Sequence, residues 1–115
     1  MATIKMCTDI PQSKVLAKIL PHESADMYYR EWKRDTKDIR IAHVGTASKE
    51  DLPCWSLAAL LNVLPEGIRY YAPNLQKEDG KYSIAYGDDE LLCIADNPVD
   101  ACYKFILTLH EEKML

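Results

Sequence analysis

Apolar residues are most concentrated between Leu52 and Pro65. Of the eleven residues bracketed by Pro53 and Pro65, only Ser56 and Asn62 are polar. A segment this apolar has to be packed on most of its circumference, so it predicts a buried helix at the centre of the fold. A second helix is predicted over Asp9–Leu20, with Thr8 or Asp9 as its cap and Pro11 in its first turn. Leu20-Pro21 would stop it; Val15, Leu16, Ile19 and Leu20 would form its apolar stripe, with Lys14 and Lys18 exposed.

Between these helices, Met27-Tyr28-Tyr29 and the alternating Ile39–Val44 suit strands, joined by the charge-rich stretch from Arg30 to Asp38. Gly45 to Asp51 predicts a loop. Beyond Pro65 the period shortens. Ile68–Ala72, Lys81–Tyr86 and Glu90–Ala95 predict three strands, with turns at Lys77–Gly80 and Gly87–Asp89, which together make an antiparallel meander. Tyr82, Ile84 and Tyr86 would share one face of it, and Leu91, Cys93 and Ala95 another. Asn97-Pro98-Val99-Asp100 then opens a final helix: Asn97 caps, Pro98 takes the first turn, and Asp100 answers cap and dipole. Cys102, Phe105, Ile106 and Leu109 follow at helical spacing.

Helices do not alternate singly with strands, which argues against a parallel doubly wound sheet. The order predicts an α+β fold: one domain over residues 1–115, with three helices on a mostly antiparallel sheet and a C-terminal meander followed by a helix. At 115 residues, 48% apolar and 28% charged, the chain can bury a core without disulfides or metal. No apolar run approaches the roughly 20 residues of a membrane span, and the N-terminus has no signal-like apolar core. A cytoplasmic protein is expected.

The four cysteines, Cys7, Cys54, Cys93 and Cys102, have no Cys-x-x-Cys spacing and are expected to be reduced structural thiols. The net charge of −4 is uneven, since the acidic excess lies after residue 60. That half would repel a phosphate backbone, which disfavours nucleic acid as a partner; a basic cluster of Arg30, Lys33, Arg34, Lys37 and Arg40 is the weak alternative.

Candidate chemistry centres on Cys54. At the N-terminus of the predicted central helix, its thiol would feel the positive end of the dipole, as in papain-like hydrolases. A base would have to come from His43, upstream on a predicted strand, or His110 near the C-terminus. Against this stands the commoner case of a core cysteine beside a core tryptophan. Ser56 lacks a nucleophile elbow, and its hydroxyl is expected to bond within the first turns of its own helix. His22, His43 and His110 lack metal-ligand spacing, Asp88-Asp89-Glu90 is a run and not a calcium loop, and the glycines form no phosphate loop. No metal or cofactor is therefore implied. Tyr70, Tyr71, Tyr82 and Tyr86 gather on the meander, where tyrosines serve either strand packing or recognition of a partner protein.

Three blocks, Gln12–Leu20 with Ser24–Tyr28, Pro53–Leu61, and Asp96–Tyr103 with Leu107–Glu111, resemble a family of small uncharacterised proteins. These are encoded by gut anaerobic bacteria and their phages or other mobile elements. The resemblance implies a small bacterial or phage protein and carries no activity or site residue with it. The expected function is a non-catalytic protein-interaction or accessory protein of such an element; the alternative is a cysteine-dependent hydrolase or thiol enzyme using Cys54.

Overall fold

The computed structural model describes residues 5–30, 38–41, 51–67, 72–87 and 92–115. The fold is α+β, and the described residues hold three α-helices and two three-stranded antiparallel sheets. The chain forms two compact units, Met6–Asn62 and Met1–Lys5 with Val63–Leu115. The strands thus belong to two separate sheets, where the sequence pattern suggested one.

In the N-terminal unit, α1 (Ile10–Leu16) starts at a capping box. The Asp9 carboxylate accepts from the Gln12 amide at 2.8 Å, and the Gln12 side chain accepts from the Asp9 amide at 3.1 Å. The helix is shorter than predicted. After Leu16 the amides of Lys18 and Ile19 bond three residues back, so Ala17–Leu20 tightens into turns. Its buried residues are Ser13 and Leu16, while Val15 is exposed.

Three strands follow: β1 (Met27–Arg30), β2 (Asp38–Ile41) and β3 (Leu52–Cys54), in the order β2-β1-β3. The register sets Met27 against Ile41 and Cys54, and Tyr29 against Ile39 and Leu52. Alternation then puts Tyr29, Leu52 and Cys54 on the buried face, where Ile10, Met27 and Ile39 pack around them.

β3 corrects the expected helix start. Leu52, Pro53 and Cys54 are extended, and α2 runs only over Leu57–Val63. The amides that would have begun a helix are taken by side chains from elsewhere: Trp55 N–H donates to Thr8 Oγ1 at 3.1 Å, and Ser56 N–H to Asp26 Oδ1 at 2.9 Å. Ser56 is the true cap, its hydroxyl accepting from Ala59 N–H at 3.2 Å and its carbonyl from Leu60 N–H at 2.9 Å. Pro53, which has no amide hydrogen, is tolerated because β3 is an edge strand among the described residues.

The C-terminal unit is a meander of β4 (Pro73–Glu78), β5 (Lys81–Tyr86) and β6 (Leu92–Ala95), followed by α3 (Pro98–Glu111). The predicted strand Ile68–Ala72 lies almost wholly outside the described residues, and Ala72 falls just before β4. β4 itself was not anticipated, because Pro-Asn-Leu-Gln-Lys-Glu offers only Leu75 as an apolar residue to bury. Glu78 pairs with Lys81 across a two-residue turn, Asp79-Gly80, with φ of 51° and 76°. Positive φ at both positions is what a type I′ hairpin turn requires. A Cβ on Gly80 would meet nothing within 4 Å, so Gly80→Ala should be destabilising through backbone conformation alone. The expected loss is about 1 kcal/mol, read as a lower urea midpoint at unchanged slope.

α3 begins as its sequence predicts. Asn97 Oδ1 accepts from the Asp100 amide at 2.8 Å, and Asn97 Nδ2 donates to Asp100 Oδ2 at 2.8 Å. Lys5 Nζ reaches Asp100 Oδ1 at 2.7 Å. Val99, Cys102, Phe105, Ile106 and Leu109 are buried along the helix, which packs on β5 and β6. Among the described residues, no helix is long and apolar enough to cross a membrane.

Candidate functional site

Cys54 ends a strand three residues before the first helical residue, so no helix dipole acts on its sulfur. Its side chain is fully buried among Cys7, Tyr29 and Leu52. A hydrogen bond with the Cys7 thiol and loss of solvation raise the Cys54 thiol far above the ordinary thiol range. This is the opposite of nucleophile activation, which needs a stabilised thiolate. His43 lies outside the described residues. His22 bonds the Ala17 carbonyl at 3.3 Å, and His110 is exposed on α3.

Polar groups nearby are arranged for structure. The Thr8 carbonyl accepts from Tyr29 OH at 2.7 Å, and Thr8 N–H donates to the Trp55 carbonyl at 2.9 Å. Thr8 Oγ1 and Ser13 Oγ lie 2.8 Å apart. Trp55 Nε1 donates to Ser24 Oγ at 2.9 Å, and Ser56 Oγ donates to the Asp26 carboxylate. Every buried side-chain nitrogen and oxygen among the described residues has a partner.

These environments set the order in which thiols should react. Cys93 is half-buried, with its sulfur 3.6 Å from Thr108 Oγ1, whereas Cys7, Cys54 and Cys102 are buried. Burial also pushes the Cys102 thiol up to about 12. In the native protein, Cys93 is expected to take up iodoacetamide first, and Cys54 only at the rate of unfolding; peptide mapping over time checks this.

The tyrosines divide. Tyr70 and Tyr71 lie outside the described residues. Tyr86 is buried: its ring stacks on Phe105 at a centroid distance of 5.6 Å and its hydroxyl donates to the Pro65 carbonyl at 2.5 Å. It is a core residue, not a surface for a partner. Tyr82 is half-buried, with Lys77 Nζ 5.7 Å from the centre of its ring.

The outward side of the meander holds what the sequence pattern passed over. Cys93 turns toward α3 and Ala95 is buried, so Leu92 and Ile94 face outward, each 50% exposed. β6 is an edge strand among the described residues. Beside Leu92 and Ile94, an open recess of about 310 Å³ is bounded also by Tyr82, Ser83, Lys81, Glu78 and Asp79. The available signal was the run Leu92-Cys93-Ile94-Ala95. A strand that is apolar at every position, at the edge of a small sheet, cannot hide both faces.

Of the basic cluster, Arg30 is exposed at the end of β1, Arg40 lies in β2, and Lys33, Arg34 and Lys37 fall outside the described residues. Among the described residues, no group of three histidine, cysteine or acidic side chains could hold a metal ion. No protein family, curated protein or solved structure matches this chain.

Proposed function

We propose that this chain is a non-catalytic protein-interaction module that binds an extended segment of another protein along β6. The observation that carries the proposal is the pair Leu92 and Ile94, two large apolar side chains half exposed on one face of a strand that, among the described residues, lies at the edge of its sheet. Edge strands offer main-chain amides and carbonyls to an incoming strand, and alternate side chains supply its specificity. Burying Leu92 and Ile94 would add apolar contact to those bonds.

One feature of the free edge fits this use. Lys104 Nζ lies 3.4 Å from the Ile94 carbonyl and is exposed. A lysine at an open edge discourages indiscriminate pairing, and a single long, solvated contact is cheap to displace when the right partner arrives. The resemblance to small phage and mobile-element proteins extends the proposal to an accessory role in such an element, in the cytoplasm of a bacterial host.

The test is a photo-crosslinking amino acid placed at Ile94, with the exposed Asn62 as the control position, in cells that encode the protein. A discrete adduct from position 94 and none from position 62 is expected, and Leu92→Lys should reduce its yield about tenfold. Equal adducts from both positions, or none from 94, would overturn the proposal.

A further inference from the structure

The N-terminal unit brings together two cysteines that are 47 residues apart in sequence. Cys7 forms an antiparallel bridge with Ser56, and Thr8 N–H bonds the Trp55 carbonyl across it. In that pattern the bridged side chains stand on the same side, and Cys54, two residues before Ser56, is the diagonal neighbour of Cys7. Both sulfurs are buried in one cluster with Tyr29 and Leu52, and the Cys7 sulfur is 3.9 Å from Tyr29 OH.

We infer that Cys7 and Cys54 form a redox-responsive clasp, able to close as a disulfide that fastens the N-terminal segment to β3. The oxidant is a low-molecular-weight disulfide of the glutathione type. One cysteine thiolate attacks a sulfur of that disulfide, releasing one small thiolate and leaving a mixed disulfide on the protein. The second cysteine thiolate attacks the protein-bound sulfur, closing Cys7–Cys54 and releasing the second small thiolate. The two protons lost by the cysteines end on the two released thiolates. The protein is oxidised by two electrons and the small disulfide is reduced to two thiols.

Burial sets when this can happen. With the segment docked, neither sulfur meets solvent and both remain thiols. Exchange therefore requires the segment to lift from β3, breaking the bonds of Thr8 with Trp55 and Tyr29. Redocking then returns the two thiols to the hydrogen bond they share in the cluster and selects this pair from the six pairings that four cysteines allow. In a reducing compartment the clasp stays open, and the segment is held by its hydrogen bonds and packing alone.

The full-length protein, unfolded in reductant and refolded in a mixture of oxidised and reduced glutathione, tests this. Peptide mapping under non-reducing conditions is expected to find Cys7–Cys54 in most of the intramolecularly linked protein. Cys7→Ser should abolish that species, while Cys93→Ser should leave it unchanged. The linked form should melt about 5–10 °C higher than the reduced form, and reductant should reverse the shift. Four free thiols after refolding, pairings spread evenly over the cysteines, or a linked form melting no higher than the reduced one would each overturn the inference.

Discussion

Phe105→Ala is expected to cost the C-terminal unit about 3–5 kcal/mol, the usual range for deleting a buried aromatic side chain. Phe105 is fully buried on α3, and its ring stacks on Tyr86 from the central strand β5. Truncation would empty the contact between helix and sheet, and Tyr86 could not fill the space without giving up its bond to the Pro65 carbonyl. Tyr86→Phe separates the two contributions. It keeps the stacking and removes only the hydroxyl, so a loss of about 1 kcal/mol is expected. Urea titrations of both variants, followed by far-ultraviolet circular dichroism, would show a large and a small shift in midpoint. Equal shifts would mean that the hydroxyl, not the ring, holds the sheet to the helix.

Trp55→Ala should be as damaging to the N-terminal unit, at about 3–5 kcal/mol. Trp55 is the largest fully buried side chain among the described residues, and its indole N–H donates to Ser24 Oγ. Its backbone amide and carbonyl both bond Thr8. Alanine keeps those main-chain bonds, so the loss would report on the indole alone. Trp55→Phe should recover more than half of the stability, because most of the burial returns and only the bond to Ser24 is missing. Thermal melts by circular dichroism give the comparison.

Elements written by local chemistry were legible in the sequence. Asn97-Pro98-Val99-Asp100 set the start of α3, Asp79-Gly80 set a hairpin, and Lys81–Tyr86 emerged as β5 with the predicted bounds. The capped start of α1 could be read for the same reason, but its end could not, because no glycine or strong breaker precedes Pro21. β3 was hidden by long-range capture. Nothing within Leu52–Ser56 announces that Thr8 and Asp26 will take its next two amides, so an apolar run with helical composition looked wholly helical. β4 was hidden by polarity.

The candidate site was less legible than the fold. The suspicion about Cys54 depended on a helix N-terminus that lies three residues further on, and the aromatic surface lost Tyr86 to the core. Leu92 and Ile94 carried no signal as single residues. They became conspicuous only when pairing placed β6 at the edge of its sheet.

Asp26 holds the amide of Ser56 with one carboxylate oxygen and its hydroxyl with the other, at the start of a seven-residue helix. A helix that short does not persist alone in water. Its first turn is completed by a residue 30 positions earlier, which is in place only once β1 and β3 have paired. α2 therefore depends on tertiary structure for its start: without the pairing that brings Asp26 to Ser56, its first turn loses the carboxylate that holds it.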